Sequence, residues 1–147
     1  LAQTAPNQPV WLVHRHDADP ERRAAWGALG AELIACDTDA KERLDPVALL
    51  KALGARGITR VFCEGGGQLA ASLLRADCVD RLVEMRAGLA LGAEGLPAIA
   101  KLGLTSLADA PRFELDDMAL VGPDAVLEWR RVDGAYRQNG PNLSAAP

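Results

Sequence analysis

The sequence predicts an α/β fold: a mainly parallel sheet flanked by helices, with a C-terminal antiparallel hairpin. Three observations predict it. They are two strand–helix–strand units in succession, a glycine-rich turn that opens a further helix, and two extended segments around Gly122-Pro123-Asp124. Short apolar runs alternating with helices of about ten residues argue for parallel strands joined by right-handed crossovers.

Val10 to Val13 is an apolar run of strand length. Asp19-Pro20-Glu21 then supplies an N-cap, a proline at the first helical position and an acid in the first turn, so a helix runs from about Pro20 to Leu29. Gly30 closes it, and Leu33 to Cys36 forms a second strand. Asp45-Pro46 repeats the start signal for a helix that ends near Gly57, and Ile58 to Cys63 is the third strand. A helix from about Gln68 to Arg75, a strand near Leu82 to Ala87 and an irregular surface loop from Gly88 to Ala100 follow. Arg112 to Leu120 and Ala125 to Val132 pair as a hairpin across the turn-forming tripeptide. Beyond Val132 the chain is polar, carries glycine and proline and has no period, so 133–147 is expected to be a disordered tail.

Composition narrows the function classes. A chain of 147 residues, 49% hydrophobic and 24% charged, fits one soluble globular domain that needs no disulfide or metal to support its core. Its net charge of -4 and lack of a basic stripe argue against a nucleic-acid partner. Cys36, Cys63 and Cys78 fit neither a disulfide framework nor a paired zinc knuckle, which implies a reducing, cytoplasmic setting. No apolar run approaches the roughly 20 residues of a membrane helix, and the first nine residues lack the pattern of a signal peptide. The chain opens on Leu1 and its first methionine is Met85, so a fragment or processed piece is expected.

The chemistry concentrates in residues 57–74, GITRVFCEGGGQLAASLL, where a strand ends in Glu64 and Gly65-Gly66-Gly67 leads into a helix. Glycine loses more backbone freedom on folding than other residues, so a triplet marks backbone that takes positive φ or approaches something closely. The first amides of a helix have no internal partner and favour phosphate oxygens; Gly66 to Leu69 would supply them. The string alone leaves other readings open. The glycines could simply make a tight turn, and Glu64 could be a solvated residue or a helix cap. Gly65, Gly67 and Ala70 formally match a dinucleotide-binding loop. That loop normally opens the first unit of its fold, and the later acid it requires is ambiguous here between Asp80 and Glu84.

No metal site is expected at His14 and His16, which have no third histidine to join them. Trp11, Trp26 and Trp129 are too far apart to form a base-stacking platform and are read as core residues. Asp77 and Asp80 follow a helix in a turn, where they cap it or position the next strand.

Arg56-Gly57-Ile58, Glu64-Gly65-Gly66-Gly67, Leu73-Leu74, Asp77 and Val79-Asp80 resemble, in order and spacing, the core block of the reductase domain in the riboflavin-pathway deaminase–reductase (RibD-type) family. Leu91-Gly92, Leu107-Ala108 and Val121-Gly122-Pro123-Asp124 are similar to its closing segments, so the likeness runs from about Pro9 to Val132. The resemblance implies a dihydrofolate-reductase-like fold truncated at its N-terminus, with 1–132 a partial reductase domain. It implies an oxidoreductase that uses NADPH to reduce 5-amino-6-(5-phosphoribosylamino)uracil to the ribitylamino product, and a homo-oligomer whose other partner is that small molecule.

It further implies that Glu64 binds substrate and that Gly65, Gly66, Gly67, Gln68, Leu69, Ala70, Ala71 and Ser72 line the cofactor, while the position near His14 borders it. No nucleophile is required, and a valine at Gly66 is expected to strain the turn and abolish NADPH binding. The family's front strands find no match, nor do the zinc ligands of its deaminase domain, so the chain alone is expected to be inactive and not to deaminate. Two other readings stay open: a noncatalytic nucleotide-binding or dimer-forming module, and a related reductase acting on another pyrimidine- or pterin-like substrate.

Overall fold

Both Asp-Pro pairs start a helix in the computed structural model, which describes residues 7–132. The Asp19 carboxylate accepts from the Glu21 and Arg22 amides at 2.8 and 3.0 Å and opens α1 (Pro20–Ala28). Asp45 accepts from the Ala48 amide at 2.8 Å and opens α2 (Pro46–Gly54). Each cap satisfies donors that the helix cannot, for about 1 kcal/mol. The backbone divides into two compact units, one up to Val61 and one from Phe62.

In the first unit β1 (Trp11–Arg15) and β2 (Glu32–Cys36) pair in parallel, from Trp11 opposite Glu32 to Arg15 opposite Cys36. Gly30, at φ 85, turns the chain out of α1 and toward β2. Both helices pack on β2, whose alternate residues Ile34 and Cys36 are buried together with Ala31.

The second unit holds α3 (Gly67–Arg75), β3 (Arg81–Arg86), β4 (Phe113–Val121) and β5 (Asp124–Arg131), with short 3-10 turns at 92–94 and 107–109. Its sheet is antiparallel in the order β3-β5-β4. Gly122, at φ 63, makes the hairpin turn between β4 and β5 as the sequence predicts. Trp129 sits mid-sheet opposite Leu82 and Leu115, half-buried as a packing residue. Ala71 and Leu74, three residues apart on one face of α3, are the buried apolar residues of this unit among the described residues.

The turn after α3 is fixed by the last strand of the sequence, whose end adjoins it. Asp77 takes φ 58, while the Asp77 and Cys78 amides donate to the Leu74 and Leu73 carbonyls. Its carboxylate pairs with the Arg131 guanidinium, the two side chains being 9% and 6% exposed. Arg131 also donates from Nη1 to the Val79 carbonyl and from its amide to the Asp80 carbonyl, and lies over the Phe113 ring. This gives Asp77 the positioning role expected of it.

The mixed α/β class holds, but one strand does not form. Residues 58–63 make no ladder, and their side chains are exposed, Phe62 by 72%. A strand exists only where a neighbour completes its hydrogen bonds. Among the described residues β1 and β2 pair with one another alone, so the parallel sheet has two strands. The predicted tail, 133–147, lies outside the described residues.

Candidate functional site

Glu64 to Ser72 run continuously through the turn and first turns of α3, within the second unit. Gly66 is the N-cap residue, and its carbonyl accepts from the Leu69 and Ala70 amides at 3.0 and 3.2 Å. No side chain caps the helix, which rules out Glu64 as its cap. The amides of Gly67 and Gln68 therefore have no hydrogen-bond partner among the described residues, and they stand at the positive end of the helix dipole.

None of the triplet takes positive φ, and two of its glycines, Gly65 and Gly67, stand at close approaches. Among the described glycines positive φ occurs at Gly30, Gly57, Gly92, Gly103 and Gly122, none of them in the triplet. A Cβ on Gly65 would lie 2.6 Å from Leu69 Cδ2, and one on Gly67 would lie 2.6 Å from the Pro97 carbonyl oxygen. A Cβ on Gly66 would meet nothing within 4 Å. Gly66 has φ -68, a value that any residue adopts, so the backbone strain expected of a valine there is absent. What a valine would still do is fill the open space in front of the free amides.

Of the other residues assigned to this site, Gln68 and Leu69 are exposed, Ala70 and Ser72 are half-buried, and Ala71 is fully buried. Ser72 Oγ accepts from Arg75 at 3.1 Å. The Glu64 carboxylate is exposed and makes no hydrogen bond or ion pair among the described residues, so all its lone pairs are available to a ligand. Sequence reasoning missed residues 97–100, which lie against Gly67, with the Ala100 amide donating to the Gly67 carbonyl at 3.0 Å. The irregular stretch that carries them has no period from which such a contact could be read.

The charged groups that end β1 and β2 in the first unit satisfy one another. The Arg15 guanidinium grips Asp17 and donates to the Glu42 carbonyl at 3.0 Å, and it holds the Asp17 carboxyl below its usual range. Arg43 hydrogen-bonds Asp39 at 2.6 Å and, with the Arg43 and Lys41 amides, brings its carboxyl down to about 2. His14 Nδ1 lies 2.8 Å from the Arg15 carbonyl, and His16 pairs with Asp37 at 3.2 Å. Among the described residues no three His, Cys, Asp or Glu side chains gather as metal ligands would.

Two clefts bordered by described residues of the second unit lie away from the glycine turn. One of about 280 Å3, bordered by Leu74, Arg75, Leu104 and Asp109, lies at the other end of α3. The second, of about 600 Å3, is a shallow opening bordered by Leu107, Arg112, Phe113 and Val132. The turn itself is an open cradle on the surface. No helix among the described residues is long and apolar enough to cross a membrane.

Comparison with known proteins points to one family. Residues 2–127 match the family described as the RibD C-terminal domain. Over 87 residues the chain is 39% identical to the riboflavin biosynthesis protein RibD of Escherichia coli, an alignment covering 59% of this chain and 24% of that protein. It is 27% identical over 115 residues to the 5-amino-6-(5-phosphoribosylamino)uracil reductase of Buchnera aphidicola, covering 78% of this chain and 53% of that one. Among solved structures, a pyrimidine reductase-like protein of Corynebacterium diphtheriae superposes with a TM-score of 0.68 at 18% identity, over 84% of this chain and 50% of that one. The chain thus spans about a quarter to a half of the length of these relatives.

Proposed function

Since this chain belongs to the RibD C-terminal domain family, we propose that it forms part of an NADPH-dependent reductase of riboflavin biosynthesis that converts 5-amino-6-(5-phosphoribosylamino)uracil to its ribitylamino product. The observation that carries this reading is the open space at Gly66 beside the unpartnered Gly67 and Gln68 amides. A phosphate oxygen fits there for two reasons: no atom blocks the approach, and the donors it would accept from are already aimed outward on a helix dipole.

When bound, NADPH supplies the hydride. This chain's residues hold and orient. The α3 amides take a cofactor phosphate, Gly65 to Ala70 and Ser72 form the wall around it with the buried Ala71 packed beneath them, and the exposed Glu64 carboxylate accepts hydrogen bonds from the ribose hydroxyls of the substrate. The reading extends to a homo-oligomer, supported by the exposed apolar residues of edge strand β4, and to the cytoplasm, supported by three cysteines whose spacing fits no disulfide framework.

The test is Gly66→Val in the full-length reductase, with NADPH titrated by fluorescence and the fold followed by circular dichroism. Because Gly66 is unstrained and faces open space, the variant should fold as the parent does and lose NADPH binding by at least about a hundredfold, or roughly 2.7 kcal/mol. A folded variant that binds NADPH within about twofold of the parent overturns the assignment.

A further inference from the structure

In the glycine triplet Gly66 faces open space, Gly65 faces the Leu69 side chain and Gly67 faces backbone. At Gly67 a Cβ would stand 2.6 Å from the Pro97 carbonyl oxygen, 3.1 Å from that of Ala98 and 3.3 Å from the Ala100 amide nitrogen. These are backbone atoms, which cannot swing aside as the tip of a side chain can. The Ala100 amide donates to the Gly67 carbonyl, and the neighbouring Lys101 carbonyl accepts from the Arg75 guanidinium at 2.7 Å. The segment is therefore bonded to the first residue of α3 and to its last. Just ahead of it Leu96 is 96% exposed, so apolar burial in that loop does not hold the segment in place.

Resting on the phosphate site proposed at Gly66, we infer that Gly67 is a positioning residue: it seats residues 97–100 as a strap on the start of α3, and the seated strap fixes the direction of the amides that meet the anion. Two adjacent glycines make the most freely rotating backbone in a chain, and no side chain caps this helix. The Ala100 bond is the one that reaches the Gly67 peptide from outside the helix among the described residues. Donors held in place beforehand bind an anion more tightly than donors that must be ordered by it. The Pro97 and Ala98 carbonyls also close the Gly67 flank with negative oxygen, which leaves the Gly66 side as the approach. By linkage, strap seating and anion binding strengthen each other by the same factor.

The experiment uses the full-length reductase, NADPH titrated by fluorescence, and hydrogen exchange at the Ala100 amide. Gly67→Ala should speed that exchange and weaken NADPH about tenfold, while the substrate KM at saturating NADPH stays within about twofold of the parent. Ala100→Pro, which removes the donor and sets its ring against the Gly67 carbonyl, should unseat the strap and weaken NADPH in the same sense. In the parent, saturating NADPH should slow Ala100 exchange. Unchanged Ala100 exchange in folded Gly67→Ala, or in the NADPH-saturated parent, overturns the strap. A released strap with NADPH affinity within about twofold of the parent overturns the positioning role and leaves the phosphate reading standing. The phosphate reading fails on a different variant, Gly66→Val. If Gly67→Ala does not fold, Ala100→Pro and the parent's exchange decide.

Discussion

A single carboxylate can be read by whether anything inside the protein already uses it. Glu64 is used by nothing among the described residues, so in the full-length reductase Glu64→Gln should lower kcat/KM for the pyrimidine substrate by at least about tenfold and leave NADPH affinity within about twofold. Equal kcat/KM in a folded variant would remove Glu64 from the substrate site. Asp39 is the opposite case. Arg43 lowers its folded pKa to about 2, against 3.8 ordinarily, so its contribution to stability is present above about pH 4 and is lost as the pH falls through 2. The Tm gap between the protein and Asp39→Asn should be present at pH 5 and mostly lost by about pH 2; a gap independent of pH would show that the ion pair does not report on folding. The two carboxylates look alike in sequence, because what separates them is whether an arginine stands within reach. At Asp39 that arginine is four residues away and legible, while the freedom of Glu64 could be known only from the folded chain.

Elements were legible to the extent that their causes are local. The Asp-Pro starts of α1 and α2, the start of α3 and the hairpin turn at Gly122 all depend on residues within a few positions of one another, and all form. The strand expected at 58–63 has suitable residues but lacks the neighbouring ladder that no local string can supply. The reason for Gly67 escaped for the same cause, since the atoms that exclude its Cβ belong to residues 97–100. The ion pair of Asp77 and Arg131 is a third non-local device, and a costly one to break. Arg131→Met leaves a buried carboxylate without its partner and should cost about 3 to 5 kcal/mol in urea unfolding. Combining it with Asp77→Asn removes the stranded charge, so the double variant should be more stable than Arg131→Met alone. Strict additivity of the two losses would show that the pair is not coupled.

At the scale of the molecule, large apolar side chains remain uncovered, among them Met85, Leu89, Leu96, Leu107 and Leu120. Soluble monomers rarely leave wide apolar patches bare, and the relatives are two to four times longer than the aligned stretch of this chain. The 147-residue chain alone should therefore bind a hydrophobic dye more strongly than the full-length reductase and show no substrate-dependent oxidation of NADPH. Turnover by the purified chain would place every residue that the reaction needs within it. The Arg131 anchor bears on how such a chain comes apart. β5 is the central strand of its sheet, laddered to β3 on one side and to β4 on the other. Its end is also held by the turn beyond α3 through Asp77, Val79 and Asp80. Helix exit and final strand thus form one cooperative opening unit, and amide exchange at Cys78 and Arg131 should proceed at a shared, slow rate while the loop between Gly88 and Gly95 exchanges early.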